Sequence, residues 1–127
     1  MKGFLLIAHG SKKKESKEEI LRLTQKLSDM LKGQYDIVSS AFLQRASPSV
    51  PDKMREYIDS GVTEILIVPY LLATGQHVAM DIPGMVREFR NSYPQITIRV
   101  TSHIGQATGM PMLILRHMEE AEHQGSK

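Results

Sequence analysis

Short apolar runs alternate with amphipathic stretches along the 127-residue chain, and this alternation limits the possible folds more than any other feature. The apolar runs are GFLLIAHG, YDIVSSAFL, EILIVPYLL and ITIRVTSHIG. Apolar side chains recur at helical spacing in the stretches between and after them. The order β-α-β-α-β-α-β-α predicts an α/β fold with three layers: a four-stranded parallel sheet, joined by right-handed crossovers and covered by helices on both faces.

Capping residues and glycines predict where the helices begin and end. Ser16 and Glu19 have the S-x-x-E spacing of a capping box, and Asp81 stands where it can cap the third helix. Gly33 and Gly61 are expected to end the first two helices. In the first helix, one apolar face is expected to point inward, formed by Ile20, Leu23, Leu27, Met30 and Leu31.

Length and composition narrow the class of protein. We expect one small domain, residues 1–123, whose last helix starts near residue 109, and a disordered tail at 124–127. The net charge is only +2, and glutamates accompany the lysines of SKKKESKEE, so no nucleic-acid partner is expected. The absence of cysteine excludes disulfides, thiolate zinc sites and cysteine nucleophiles. No apolar run reaches the ~18 residues of a membrane helix and no signal-peptide pattern is present, which predicts a cytoplasmic protein without a membrane partner.

Polar residues gather at the predicted carboxyl ends of the strands, where open parallel sheets bind ligands. They are His9, Gly10 and Ser11 after the first strand, Gln44 and Arg45 after the second, Gly75, Gln76 and His77 after the third, and His103 at the end of the fourth. Two histidines in glycine-containing loops at one edge favour a binding site, whereas His117 and His123 on the last helix are expected to face solvent.

A pair of histidines suits a divalent metal that is bound transiently. Neutral imidazole is a ligand for cobalt, nickel, iron or zinc, whereas a structural zinc site normally has four protein ligands. Two ligands leave coordination positions open for exchange. No acidic residue is placed to complete a Ser-His-Asp triad, so Ser11 is expected to be a cap or a hydrogen-bond donor. Arg45 could meet a ligand carboxylate, although an exposed arginine is the ordinary expectation.

Four segments together resemble the short CbiX-type sirohydrochlorin chelatases, a cobaltochelatase group related to the sirohydrochlorin ferrochelatases and the archaeal nickel chelatases. The segments are LLIAHGS, AFLQRASPSVP, VPYLLATGQHVAMDIP and HIGQATGMP. The resemblance is specific because H-G-S and G-x-H-x-x-x-D-I-P occur together in one chain. The resemblance implies a chelatase-like fold, a homodimer, and insertion of a divalent metal into sirohydrochlorin, with cobalt first and iron or nickel as alternatives. It implies no permanently bound cofactor, because the metal is a substrate.

The resemblance places the two metal-site histidines of the family at His9 and His77, as catalytic and metal-binding residues. The expected substrate-binding residues are Gly10, Ser11, Gln44, Arg45, Gly75 and Gln76. Gln44 departs from many family members, which have a glutamate there; an amide can offer a carbonyl oxygen but is not a useful base. Two other interpretations stay open: a non-catalytic tetrapyrrole or metal carrier of the same fold, and a phosphate-binding α/β protein that uses the loop after the first strand.

Overall fold

A computed structural model of the chain describes residues 1–73 and 77–124, with the backbone alone described for residues 77–80. The elements are β1 (Lys2–Ala8), α1 (Lys14–Met30), β2 (Ile37–Phe42), α2 (Val50–Asp59), β3 (Glu64–Tyr70), α3 (His77–Ser92), β4 (Thr97–Val100), a 3₁₀ turn (Ile104–Gln106) and α4 (Met110–His123). The predicted order of strands and helices is confirmed. Most of the predicted tail lies outside the described residues. None of the helices in the described ranges has the length and apolar character of a membrane span.

The four strands form one sheet in the order β2-β1-β3-β4, and all neighbouring pairs are parallel, as predicted. The chain moves one way from β1 to β2 and then returns past β1 to β3. Because such crossovers are right-handed, α1 lies on one face of the sheet, and α2 and α3 lie on the other. The direction reverses between β1 and β3, and reversal points of this kind open a crevice at the carboxyl ends of the strands.

The main core lies between the sheet and the α2–α3 layer. Side chains alternate across a strand, so every second residue of β1 and β3 points to this layer. The strand residues Leu5, Ile7, Ile65 and Ile67 are at most 1% exposed. They form one cluster with Met54, Tyr57, Ile82, Val86 and Phe89 of the two helices. Burial of this apolar cluster is the principal stabilising contribution, at roughly 25 cal/mol per Å² removed from water.

The opposite face of the sheet is covered only in part. Phe4 and Leu6 of β1 are buried there, and α1 packs against β2. Their register partners on β3, Leu66 and Val68, are only partly buried. Met30, predicted to point inward from α1, is 77% exposed. The helix therefore covers the β2–β1 side of this face and leaves the β3 side half open.

The predicted capping box of α1 is wrong. The helix begins at Lys14, so Ser16 and Glu19 both lie inside it. The preceding turn is organised by Ser11, whose hydroxyl oxygen accepts a hydrogen bond from the backbone N–H of Lys13 at 3.1 Å. S-x-x-E spacing also occurs within helices, and the motif by itself does not locate the first turn.

The predicted start of α3 is also wrong. The helix begins at His77, which was expected in a loop, and Asp81 lies four residues inside it. The Asp-Ile-Pro sequence resembles a helix start because proline is tolerated in a first turn, where its missing N–H is not needed. Here Pro83 lies within the helix instead.

The turns that follow β1 and β2 are locked together by backbone contacts. The N–H of Leu43 donates to the C=O of Ala8 at 3.0 Å, and the N–H of Gln44 donates to the C=O of His9 at 3.1 Å. Gly10 has a φ of +101°, and a Cβ added to it would lie 1.7 Å from the carbonyl oxygen of Gln44. Glycine is therefore required here both by conformation and by space, and His9 sits on a rigid turn.

Tyr57 ties α2 to two strands. Its hydroxyl donates to the C=O of Phe4 at 2.6 Å and lies 2.5 Å from the hydroxyl of Ser39. The side chain is 1% exposed. Desolvation by this burial raises the pKa of Tyr57 to about 12, because a phenolate would lose its hydration.

We expect stability to fall as the pH rises through the interval from 10 to 12. Tyr57 ionises near 10.0 when unfolded and near 12 when folded, so the folded state keeps the proton longer. The stabilisation is complete below pH 10 and is lost as the pH rises through the folded pKa; a shift of this size corresponds to about 2–3 kcal/mol. Urea unfolding at successive pH values should show that Tyr57→Phe flattens this decline. Tyr70→Phe, at an exposed tyrosine, should keep it, and an equal decline in both variants would contradict the assignment.

Gly10→Ala should destabilise the protein, whereas Gly84→Ala should not. The left-handed conformation alone costs an alanine about 1–3 kcal/mol at position 10, and the contact with Gln44 adds to this. A Cβ at Gly84, inside α3, meets no atom within 4 Å, so alanine there should be neutral or stabilising by about 0.5–1 kcal/mol. Free energies of unfolding in urea measure both effects. Equal stability of the two variants would show that the turns are not locked.

Candidate active site

His9 lies at the point where the sheet reverses direction. It follows β1 directly, and the last residue of β1, Ala8, is the register partner of Tyr70 at the end of β3. The backbone of His77 begins α3, the helix reached from β3. Both histidines are thus attached to the two strands that flank the crevice. Gly75, Gln76 and the side chain of His77 lie outside the described residues, so the sharing of a metal between His9 and His77 stays a prediction.

The imidazole of His9 is exposed and is hydrogen-bonded to the side chain of Gln44. The two Nε2 atoms lie 2.9 Å apart. Because an amide nitrogen can only donate, this contact uses the lone pair on Nε2 of His9. Gln44 therefore orients the ring and engages the same lone pair that a metal ion would use. A metal that binds at Nε2 must displace this amide.

A cavity of about 280 Å³ opens beside His9. Its lining residues are Ala8, His9, Gly10, Ser11, Ser16, Lys17, Glu19, Ile20, Phe42 and Tyr70. Pockets for drug-sized ligands hold roughly 300–1,000 Å³. This cavity is therefore large enough for part of a large ligand, and the rest of such a ligand would extend beyond it. Of the predicted site residues, it brings His9, Gly10 and Ser11 together.

Seven of the ten lining residues were not predicted as site residues, and Lys17 and Tyr70 are among them. Lys17 belongs to the lysine- and glutamate-rich stretch SKKKESKEE, but it is partly buried and lines the cavity together with Glu19. Tyr70 is 38% exposed and places an aromatic ring at the end of β3. The register that pairs Tyr70 with Ala8 would have placed Tyr70 next to His9. The sequence does not give this register, because it depends on the pairing of β1 with β3.

The remaining predicted residues are distributed around this edge. Gln44 touches His9, whereas Arg45 is exposed and lies outside the cavity lining. Arg45 has a φ of 58°, a left-handed conformation that is uncommon for residues other than glycine. β4 ends at Val100, so His103 follows it by three residues and is partly buried before the 3₁₀ turn. The helix α4 carries His117 and His123, which are exposed.

The 3₁₀ turn supports the chain segment that leads towards His77. The N–H of Gly105 donates to the C=O of Leu71 at 3.1 Å. A Cβ on Gly105 would lie 1.8 Å from the carbonyl oxygen of Leu72, so no larger residue fits this contact. The chain after β4 is thus fixed against the chain after β3.

No group of three or more metal-ligating side chains occurs within the part of the chain whose side chains are described. His9 by itself offers one nitrogen ligand, and a second would have to come from elsewhere. One nitrogen ligand is too few for a structural metal site, which in the case of zinc normally has four protein ligands.

Comparison with known proteins gives the family. The CbiX family model matches residues 3–121. The chain is 28% identical over 120 residues to the sirohydrochlorin cobaltochelatase of Sulfurisphaera tokodaii, covering 94% of this chain and 93% of that protein. It is 32% identical over 98 residues to the sirohydrochlorin ferrochelatase of Priestia megaterium, covering 77% of this chain but only 36% of that protein.

A solved structure shows the same fold in a longer chain. The chain superposes on the sirohydrochlorin chelatase SirB from Bacillus subtilis subspecies spizizenii, in complex with cobalt, with a TM-score of 0.79 and 24% sequence identity. The match covers 94% of this chain and 50% of SirB, so this chain spans about half the length of that protein. Because the family match runs from β1 into the last turns of α4, the chain belongs to the CbiX family of sirohydrochlorin chelatases.

Proposed function

We propose that this protein inserts a divalent metal ion into sirohydrochlorin, with cobalt as the preferred metal. The observation that carries the proposal is His9, held on a locked turn at the reversal point of the sheet and open to a cavity. The preference for cobalt rests on the relative from S. tokodaii, which matches over nearly its whole length. Iron is the alternative, because the Priestia megaterium relative is named a ferrochelatase, and nickel is a further alternative that rests on the family resemblance alone.

In the proposed mechanism, the protein positions an anionic tetrapyrrole over the histidine edge. Lys17 in the cavity wall and Arg45 beside it supply positive charge for its carboxylates. The backbone N–H groups at the start of α3 add to this, because the N-terminus of a helix attracts anions. Gly10 and Ser11 in the turn after β1 are proposed to contact the bound tetrapyrrole, as are Gly75 and Gln76, which lie outside the described residues.

His9 and His77 are the proposed ligands for the incoming metal, which is a substrate. Two histidines leave positions at which pyrrole nitrogens can bind, and these nitrogens replace the protein ligands as two pyrrole protons leave. A neutral imidazole that has released the metal can accept one of them, since histidine exchanges protons near neutral pH, and the other passes to water. Gln44 orients His9 through its side-chain amide but cannot act as a base.

The assembly is proposed to be a homodimer without a permanent cofactor. A cavity of about 280 Å³ accommodates only part of a tetrapyrrole, so a second protein wall is needed. The cytoplasmic location expected from the sequence stays a prediction.

A second candidate function is a non-catalytic carrier for a tetrapyrrole or a metal. The observation that favours it is the Gln44 amide, which occupies the position of an assisting carboxylate and engages Nε2 of His9. A carrier should bind sirohydrochlorin without accelerating metal insertion.

We expect metal insertion to exceed the spontaneous rate, and cobalt to react faster than iron or nickel. His9→Ala and His77→Ala should each lower the rate by about 100-fold or more, the contribution expected of a positioned reacting side chain. The measurement is a steady-state absorbance assay with sirohydrochlorin and each metal, corrected for spontaneous insertion. His123→Ala, at an exposed position near the end of α4, should match the parent. Binding without turnover would favour the carrier, and the absence of both binding and turnover would contradict both functions.

Gln44→Glu should raise the insertion rate, most clearly near neutral pH. A glutamate with an ordinary pKa of about 4.3 is ionised there, so it attracts the metal and can accept pyrrole protons. A general base contributes ~10²–10⁴-fold, so even partial restoration is measurable in the same assay. Gln44→Ala is the matched control, because it removes the hydrogen bond to His9 without adding a carboxylate, and it should not exceed the parent. If Gln44→Glu has no effect while both histidine variants are inactive, another group is the base.

A further inference from the structure

A row of three side chains crosses the carboxyl end of the sheet on the face that α1 covers. Phe42 of β2 and Tyr70 of β3 are both register partners of Ala8 in β1. Register partners lie side by side and point to the same face of a sheet. The row therefore places one small side chain between two aromatic ones. All three line the cavity beside His9, so the cavity occupies the space that Ala8 leaves open between Phe42 and Tyr70.

The first turns of α1 form the facing wall of this cavity. Ser16 and Ile20 lie one turn apart on the helix and both line it. Lys17 and Glu19 line it as well. Successive side chains on a helix turn by about 100°, so Lys17 and Glu19 stand at opposite margins of the line from Ser16 to Ile20. None of the ion pairs in the described part of the chain includes Lys17 or Glu19.

The two walls differ in chemistry. On the sheet side, Phe42 and Ala8 are 2% and 4% exposed, whereas Tyr70 is 38% exposed and presents its ring to an incoming ligand. On the helix side, the partly buried Ser16 and Lys17 offer a hydroxyl and an ammonium group. Pockets of mostly apolar lining with a few placed polar groups fix the orientation of a ligand. A ligand that satisfies both walls has a flat ring and a carboxylate attached to it.

We propose that this slot, the cavity between α1 and the row Phe42–Ala8–Tyr70, binds one carboxylate-bearing pyrrole ring at the periphery of the tetrapyrrole. Tyr70 stacks against the ring, and Lys17 pairs with its carboxylate. The inference rests on the proposed function and deepens it, because it names the part of the substrate that this wall takes. A volume of about 280 Å³ suits one substituted ring rather than a whole macrocycle.

The slot lies directly beside the proposed metal ligand. His9 follows Ala8 in the chain and lines the same cavity. A pyrrole ring held against Tyr70 is therefore adjacent to the imidazole from which the metal is transferred. Aromatic rings prefer offset-stacked or edge-to-face arrangements, so Tyr70 determines the tilt of the macrocycle as well as adding affinity.

The opposite charges at the margins of the slot give the bound ring a direction. Lys17 attracts a carboxylate, and Glu19 repels one. The ring's carboxylate is therefore expected on the Lys17 side. A purely structural role of these two residues would give no such dependence on the sign of the charge.

The first test is the dissociation constant of metal-free sirohydrochlorin, measured by fluorescence titration without metal. Tyr70→Leu should raise it by about 3- to 10-fold, the contribution of one aromatic pair. Tyr70→Phe keeps the ring and should bind as the parent does. The matched control is Tyr35→Leu, at a tyrosine two residues before the start of β2 and outside the cavity lining, which should also bind as the parent does.

The second test changes the charge at each margin. Lys17→Gln should raise the dissociation constant and Glu19→Gln should lower it, each by about 2- to 5-fold, as for ion pairs at partly exposed sites. The matched control is Glu18→Gln. Glu18 lies on the same helix outside the cavity lining and 3.8 Å from Lys14, so its removal should change the dissociation constant less than Glu19→Gln does.

Steady-state kinetics distinguish binding in the slot from a role in metal transfer. Tyr70→Leu should raise the KM for sirohydrochlorin and leave kcat nearly unchanged, because the ring contact is made equally in the ground state and the transition state. His9→Ala should lower kcat instead. Ala8→Val covers the case in which Tyr70→Leu fails to fold: its added methyl groups narrow the slot, so it should also raise the dissociation constant.

Three results would overturn the slot while the parent remains an active chelatase. They are a Tyr70→Leu variant that binds sirohydrochlorin like the parent, a Tyr70→Phe variant as weak as Tyr70→Leu, or shifts of the same sign for Lys17→Gln and Glu19→Gln. If the parent binds with the expected pattern but does not accelerate metal insertion, the slot stands and the proposed function fails. A parent that binds no sirohydrochlorin would overturn both.

Discussion

The contact between the turns after β1 and β2 is the constraint on which the site depends. Two backbone hydrogen bonds join these turns, and Gly10 approaches the carbonyl of Gln44 so closely that no side chain fits. This contact determines the direction in which His9 leaves the sheet and brings the Gln44 amide within 2.9 Å of its ring. A reactive histidine on a free loop would have to be ordered each time a ligand binds. Here that ordering is complete once the chain has folded.

A site of this design suits a metal that is delivered rather than kept. One described histidine, a neutral amide and an open cavity would give only weak, exchangeable ligation, whereas a permanent site would need more ligands. In the proposed reaction, the Gln44 amide and the metal would use the same nitrogen of His9. Such competition would lower the affinity of the free protein for metal and would ease the release of the metal to a macrocycle. Gln44 is thus the reason that the residues at the carboxyl ends of the strands are chemically consistent with both a chelatase and a carrier.

The domain leaves two apolar surfaces incompletely covered. The β3 side of one sheet face holds the half-buried Leu66 and Val68, and α4 holds large apolar side chains that its own core does not contact. Both features have one physical cause: four strands and three packed helices provide too little material to enclose every apolar surface of the chain.

The sequence by itself determined the class of fold, the strands and the candidate residues at their carboxyl ends. The spacing of apolar residues is a local property of the chain, and the crossovers between parallel strands follow a general rule of handedness. The sequence located His9 and Gln44 correctly at that edge, but their hydrogen bond depends on two turns that are 35 positions apart. It failed for the starts of α1 and α3, since S-x-x-E and Asp-Ile-Pro occur inside helices as well as at their ends. Only the tertiary structure decided the strand order β2-β1-β3-β4. That order places Tyr70 beside Ala8, at the edge where Lys17 and His9 line the same cavity. The tertiary structure also showed that α4 lies outside the core. The sequence could not predict this, because burial depends on contacts between distant segments that no local pattern encodes.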